Sequence, residues 1–283
     1  TVPAPRGALR VTFLDVGQGD AALVELPSGA VWLIDAGGDP SAHDLAVASG
    51  TGRTIERTLA VYGKHAIDLA IVSHPHPDHY LGLAALTVPV HELWFADRGD
   101  STSRASLARV VAGLAARGTR IATPPLGTLR EGGVELTLWA PRYQSVAGAR
   151  EVLAPDPVRS INDNSLVVSL RFGGRSMLFT GDVEAEGEAL LVEAGIGEAD
   201  VVKVAHHGSR TSSSPAFVAA TRPELVVISC GVANGFGFPA PGVVERWREV
   251  GARVERTDLA GAISVTVTAD GDLDVSRFVR AKP

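Results

Sequence analysis

Cysteine is nearly missing from this 283-residue chain: Cys230 stands alone. That excludes an internal disulfide framework and any thiolate zinc cluster. No apolar run approaches the roughly 18 residues of a membrane-spanning helix. Thr1 to Gly7 also lacks the apolar stretch of a secretion signal. Basic residues are in deficit, 26 Lys and Arg against 32 Asp and Glu, for a net charge of −6. This balance argues against a protein that coats nucleic acid generally, because such binders carry a basic face. There is no Gly-x-Ser-x-Gly elbow and no Walker loop, which removes two common frameworks for an activated serine or a bound nucleoside triphosphate.

What is present is a folding chain, 45% hydrophobic and 20% charged, long enough for a sizeable core. Residues 1–8 read as a tail. Residues 9–283 read as one domain with two similar halves, roughly 9–140 and 160–283. In the first half, strands are expected over Leu9 to Leu14, Ala21 to Leu26 and Ala30 to Ile34, separated by Gly17-Gln18-Gly19-Asp20 and Pro27-Ser28-Gly29 turns. A helix over Ile55 to Tyr62, a buried strand over Ile67 to Val72, a short helix over Leu81 to Leu86 and a strand over Glu92 to Ala96 follow. Leu107, Val110, Val111 and Leu114 recur at helical spacing between Ser103, a plausible cap, and Arg117.

Val134 to Trp139 opens a second strand-rich stretch, and Pro141 to Pro157 reads as a loop. Ser165 to Phe172 and Ser176 to Thr180 form a hairpin around Gly173-Gly174, followed by a helix over Val183 to Ala194. Strands over Val201 to Ala205 and Leu225 to Cys230, a helix over Gly242 to Val250 and a closing hairpin around Asp270-Gly271 complete the chain. Strands and helices alternate, and the polar motifs sit at strand ends, where ligand sites of α/β folds usually lie.

The densest chemistry is Ser73-His74-Pro75-His76-Pro77-Asp78-His79, beyond the apolar strand. Three imidazoles and a carboxylate held this close need a cation or solvent to be tolerated. The prolines are expected to keep the donors in an extended loop. Asp182 ends another apolar strand, Leu178-Phe179-Thr180-Gly181, and is either a ligand or a helix cap. His206 and His207 end a third, and neighbours in an extended loop point opposite ways, so at most one binds a given ion. Asp35 either caps or hydrogen-bonds a ligating imidazole. His43, His65 and His91 have no partner donors nearby and read as ordinary polar histidines. Cys230 reads as core, Trp247 as a helix packing face, and Gly17-Gln18-Gly19-Asp20 as a hairpin turn and no more.

The first motif resembles the His-x-His-x-Asp-His signature of the metallo-β-lactamase superfamily. Phe13-Leu-Asp-Val-Gly-Gln-Gly-Asp-Ala21, Asn162-Asp-Asn-Ser-Leu166, Leu178-Phe-Thr-Gly-Asp-Val183 and Val204-Ala-His-His-Gly-Ser209 narrow the likeness. Together they resemble the C-terminal metallo-β-lactamase-like domain of ComEC-type DNA-uptake (competence) proteins, from about Leu9 to Val267. The resemblance implies an α/β, four-layer αββα sandwich with a dinuclear site at one edge. It implies that His74 and His76 hold one divalent cation, that Asp78 and His79 hold the other, and that Asp182 bridges them. His206 is implied as a further ligand.

Asn162 and Asp163 stand where most relatives carry another histidine. Oxygen donors there favour Mn²⁺ or Mg²⁺ over Zn²⁺. One departure is Gly237-Phe238-Pro239, where the group reads Gly-His-Pro, so a histidine that would complete the second ion's set of ligands, or donate a proton to the leaving group, is absent. The activity implied is metal-dependent hydrolysis of DNA phosphodiesters, degrading one strand during uptake. In that scheme Asp78 orients water, and His207 or Ser209 meets the phosphate or protonates the leaving oxygen. Two divalent cations would offset four negative charges locally, so the acidic balance does not exclude this substrate.

Arg98, Arg104, Arg159 and Arg210 are the cations expected to suit a DNA groove. The remainder of a membrane DNA-uptake protein is the implied partner. The outer face of the cytoplasmic membrane is the implied location, with no lipid insertion by this chain. Two other classes stand beside this reading: hydrolysis of another ester or small phosphodiester, and a weakened DNA-binding or assembly module.

Overall fold

In the computed structural model the described residues are 7–42, 49–95, 101–124, 127–140, 156 and 158–278. His43, Arg98 and all of the Pro141 to Pro157 stretch except Asp156 lie outside them. Fifteen strands among these residues form two sheets. The first joins β1 (Leu9–Phe13), β2 (Ala21–Glu25), β3 (Val31–Ala36), β4 (Ile67–Val72), β5 (Val90–Phe95) and β6 (Arg120–Ile121) to two late strands, β14 (Ala262–Val267) and β15 (Leu273–Phe278). Its order is β15-β14-β1-β2-β3-β4-β5-β6. The second sheet contains β7 (Thr128–Glu131), β8 (Val134–Ala140), β9 (Val167–Phe172), β10 (Arg175–Phe179), β11 (Val201–Lys203), β12 (Leu225–Ile228) and β13 (Arg253–Arg256). They are ordered β13-β12-β11-β10-β9-β8-β7. The sheets do not follow the sequence halves: β7 and β8 join the later strands, while β14 and β15 return to the first sheet.

Period-two alternation builds the layers. On β3, Trp32 and Ile34 join Phe13, Leu136, Val168 and Phe179 in the apolar layer between the sheets. Val31 and Leu33 point the other way, against α1 (Ser49–Val61) through Ile55 and Leu59, and α3 (Ser101–Ala116) through Leu107 and Leu114. Across the molecule, Val201, Leu225 and Val227 face the inter-sheet layer. Val202, Val226 and Ile228 pack under α5 (Pro215–Thr221) and α6 (Pro241–Glu249), touching Phe217 and Trp247. α4 (Ala185–Glu193) adds Leu191 to that layer. The result is the expected αββα sandwich.

Several local outcomes differ from the sequence reading. α1 begins at Ser49, not Ile55. Pro77 does not hold its neighbours extended: it opens a one-turn helix, α2 (Pro77–Tyr80), at the position where proline's fixed φ and missing N–H suit a helix start. Asp78 and His79 are therefore helical. The last short helix, α7 (Thr257–Ala260), had no sequence signal that we identified. Cys230 and Trp247 are fully buried, as core residues should be.

β3, β4 and β5 run parallel, as do β10, β11 and β12. Their carboxyl ends lie together, and the residues following them meet across the seam between the sheets. The Leu166 N–H donates to the Ser73 carbonyl (2.7 Å) and the Asp20 N–H to the Asp78 carbonyl (3.1 Å), fixing these loops to each other. Gly19 makes the second approach feasible, since a Cβ on it would lie 2.5 Å from the Asp78 carbonyl oxygen.

Candidate metal centre

The centre is built from the ends of β3, β4, β10 and β11. At β3, Asp35 takes a left-handed φ of 55° and accepts from the Ser73 N–H (2.7 Å), the Ser73 hydroxyl (2.8 Å) and His79 Nδ1 (2.9 Å). His79 is wholly buried, and that bond directs its Nε2 at Asp182 Oδ2, 3.2 Å away. His207 is oriented in the same manner: its Nδ1 donates to the Ser229 carbonyl (3.0 Å), and its Nε2 lies 3.2 Å from Asp78 Oδ2 and 3.5 Å from Asp182 Oδ2. His74 Nε2 is 3.9 Å from Asp182 Oδ2 and 3.0 Å from Nδ1 of His76. Asp182 thus sits among His74, His79 and His207.

The ionisation states follow from this crowding. Burial opposes charge on Asp182, but His79 and then His207 hold its carboxyl well below the usual range. Asp78 is lowered against burial by the same two imidazoles. Burial would neutralise His79, yet Asp182, Asp35 and Asp78 raise it well above an ordinary histidine. His207 is pushed up to about 10 against burial, by Asp182 and Asp20. His74 and His76 go the other way, lowered by burial and by His79. With both Nδ1 atoms of His79 and His207 committed to oxygen acceptors, their Nε2 atoms can face carboxylates only as imidazolium donors or across a shared cation.

These residues fit a divalent cation. His79 Nε2 and Asp182 Oδ1 are buried without hydrogen-bond partners, as is Asn162 Oδ1 at the edge of the cleft. Asp20, His79, Asp182 and His207 each offer a ligand atom within 4.8 Å of the others. Asp20 is the least available of the four, because the buried Lys203 ammonium pairs with it. Lys203 also lies 3.7 Å from Asp182 Oδ1 and donates to the Gly181 carbonyl (3.1 Å). The donors left to face a cation are His76, Asp78, Asp182 and His207, which line a cleft of about 310 Å³, and His74 and His79, wholly buried beneath it against Asp182.

The sequence-derived candidates divide clearly. His74, His76, Asp78, His79 and Asp182 come together, with Asp35 behind His79. His206 and His207 are not in an extended loop: both take left-handed φ values, 49° and 53°. That turn puts His207 among the carboxylates. It turns His206, expected as the ligand, so that its Nδ1 lies 3.4 Å from Glu184 Oε1 and 3.3 Å from Thr211 Oγ1, while the ring still lines the cleft. Asn162 lines the cleft too.

Asp163 does not face it. One carboxylate oxygen accepts from the Glu184 and Gly187 N–H groups at the start of α4, and the other from Ser160. The Ser209 hydroxyl is engaged by Thr211 (2.9 Å) and is not a cleft residue. Arg159 is paired with Asp156 and Glu186, whereas Arg210 is exposed. Sequence reasoning missed Asp20 and Lys203. A lysine after Val201-Val202 in a buried strand was the available signal, because a buried ammonium requires carboxylates.

Two sheets with flanking helices, and a histidine–aspartate centre at their shared edge, define the class: the chain has the metallo-β-lactamase fold. The profile of the Metallo-beta-lactamase superfamily matches residues 14–97, which span Asp20, Asp35 and the histidine motif. Two competence-related proteins are similar over most of the chain. One is ComE operon protein 3 of Bacillus subtilis (strain 168), 30% identical over 279 residues, covering 89% of this chain and 32% of that protein. The other is competence protein ComA of Neisseria gonorrhoeae, 31% identical over 277 residues, covering 92% of this chain and 32% of that protein. The chain therefore spans about a third of the length of these curated relatives. Among solved structures, the diiron β-hydroxylase CmlA from Streptomyces venezuelae superposes with a TM-score of 0.51 at 16% identity, over 97% of this chain and 55% of that one. At that identity the likeness concerns the fold alone. Among the described residues no helix is long and apolar enough to cross a membrane.

Proposed function

We propose that this chain is a metal-dependent phosphodiesterase that acts on DNA as part of a DNA-uptake protein. The observation that carries the reading is the convergence of His74, His79 and His207 on Asp182, beside a cleft lined by His76, Asp78, Asp182 and His207, in a chain similar to competence proteins. In this reading His74 and His76 would hold one divalent cation and Asp78, His79 and His207 a second, with Asp182 within reach of both groups. When bound, such cations lower the pKa of water toward neutrality and offset charge on the attacked phosphate. Mn²⁺ or Mg²⁺ is preferred to Zn²⁺, because Asn162, its Oδ1 without a partner at the cleft, offers oxygen where most relatives carry a histidine.

The protein's own groups do the positioning. Asp35 and the Ser229 carbonyl fix the Nδ1 protons of His79 and His207, so that each Nε2 is directed toward Asp182. Asp78 orients the attacking water. His206 takes over the proton-transfer role first considered for His207: its Nδ1 is engaged by Glu184 and Thr211, leaving Nε2 for the leaving oxygen. Arg210 is the exposed basic residue nearest this loop in sequence and is assigned to the DNA backbone. The remaining parts of an uptake protein, and a position on the outer face of the cytoplasmic membrane, belong to the same proposal.

The test is cleavage of labelled single-stranded DNA with Mn²⁺, Mg²⁺ or Zn²⁺, with a cyclic dinucleotide and a β-lactam assayed in parallel. Asp182→Asn is expected to lower kcat/KM by about 10³-fold, roughly 4 kcal/mol of barrier, and chelation to abolish cleavage. Activity on DNA that survives both would overturn the metal mechanism, and turnover of only the other substrates would move the chain to a different hydrolase class. A second reading rests on Phe238, whose ring lies 5.6 Å from that of His206 and 6.4 Å from that of His207, where the resemblance places a histidine. It is a weakened DNA-binding module, and metal analysis separates the two: two ions per chain support the enzyme, one or none the module.

A further inference from the structure

Resting on the phosphodiesterase reading, we propose that Phe236 and Phe238 form a stacking platform that selects unpaired nucleotides, holding a base of single-stranded DNA beside the metal cleft. The two rings lie nearly parallel, with centroids 5.5 Å apart and planes at 16°. Both line the same cleft as His76, Asp78, Asp182 and His207. Phe238 closes the stack on the inner side, against His206 and His207. Phe236 is 59% exposed, so the outer ring has an open face.

The loop is braced. Asn234 Nδ2 donates to the Gly231 carbonyl (2.9 Å) and the Phe238 carbonyl (2.7 Å), while its Oδ1 accepts from the Phe238 N–H (3.0 Å). The Gly231 N–H in turn donates to Gln18 Oε1 (3.1 Å), tying the loop to the β1–β2 connection. These bonds close the turn on both sides of Phe236, and an exposed phenyl ring on a braced turn is pre-organised for a flat apolar ligand.

The occupant follows from the neighbourhood. A cleft floored by a cation-binding group takes a phosphate, and a ring stack at its rim takes whatever planar group that phosphate carries. In a nucleic acid this is a base, and only an unpaired base offers its face to a protein ring. Every base has such a face, so the platform selects strandedness and tolerates sequence. A duplex keeps its bases stacked on one another and gains nothing from Phe236.

The experiment measures binding apart from cleavage. A fluorescein-labelled oligothymidylate is titrated with the whole chain at fixed salt in chelator, with anisotropy as readout, against the same strand carrying abasic sites and a blunt duplex. Phe236→Ala is expected to weaken binding of the oligothymidylate about tenfold and to leave the abasic strand and the duplex unaffected, as expected for loss of one stacked base. Phe236→Trp should restore or tighten binding, and Phe236→Leu, apolar without a π face, should not. Binding unaltered by Phe236→Ala, or equal loss on the abasic strand, overturns the platform. Cleavage assays on the same proteins keep the two readings apart. DNA cleavage with Phe236-independent binding removes the platform alone, and Phe236-dependent binding without any cleavage removes the phosphodiesterase reading alone. Failure to bind single-stranded DNA at all removes the platform.

Discussion

Asp35 shows how one side chain can set the chemistry of another. It is buried, strained at φ 55°, and accepts three hydrogen bonds, one of them from His79. Its carboxyl is raised by burial, although His79 works against that shift. An amide in its place has a single acceptor oxygen, so either Ser73 N–H, or both Ser73 Oγ–H and His79 Nδ1–H, would meet an N–H group instead. Asp35→Asn should therefore lower divalent-cation affinity about 10- to 100-fold, as loss of a group behind a ligating imidazole usually does. Competition with a chelating dye measures it, and an unchanged far-UV spectrum separates the effect from unfolding. Affinity equal to that of the parent would mean that His79 is held by packing alone.

Between elements, the clearest ionisable contact is Glu188 on α4, which accepts from the Ser213 and Ser214 N–H groups just before α5. Burial pushes its carboxyl up to about 7, with the nearby Asp163 adding to the rise and the Ser214 and Ser213 bonds opposing it. A raised acid binds more protons in the folded state, so its contribution is fully present below the unfolded pKa and is lost as pH rises through 7. Stability should decline by a few kcal/mol between about pH 4.5 and 7 on this account. Glu188→Gln should flatten that part of the profile in urea denaturation across the same range. A slope identical to the parent's would assign the pH dependence to other groups.

Such contacts are where sequence reading ran out. Strands such as Ile67 to Val72 were legible because burial on both faces demands a continuous apolar run. The start of α1 was not, because Ser49-Gly50-Thr51-Gly52 carries two poor helix formers that only tertiary packing, with Gly52 against Ala85 and the Gly82 carbonyl, keeps helical. The donors after β4 and β10 could be read from their places at strand ends. The placement of His207 among the carboxylates and of His206 beside Glu184 could not, since it depends on two successive left-handed residues that neither side chain announces. Asp20 looked like a turn residue because its partners, Lys203 and His207, lie more than 180 positions away.

Across the molecule, the centre is the polar seam at the edge of the apolar layer between the two sheets. His74, Asp78 and His79 are carried by the sheet of β3 and β4, while Asp182, Lys203 and His207 are carried by that of β10 and β11. Without a cation, the carboxylates Asp20, Asp78 and Asp182 depend on Lys203 and on protonated His79 and His207 for compensation. A divalent cation binds these groups only when both sheets are in place, so binding should stabilise the native state by mass action. At a free concentration about a hundredfold above Kd the gain is about 2.7 kcal/mol. For a domain of this size that corresponds to a rise in Tm of about 5–10 °C. Calorimetry with Mn²⁺ and with chelator measures the difference. Asp182→Asn should abolish the rise, whereas Arg210→Ala, which alters an exposed cation outside the donor group, should keep it. A parent Tm that does not respond to any divalent cation would mean that Lys203 and the two imidazolium groups close the seam themselves, and the centre would lose its claim to a metal.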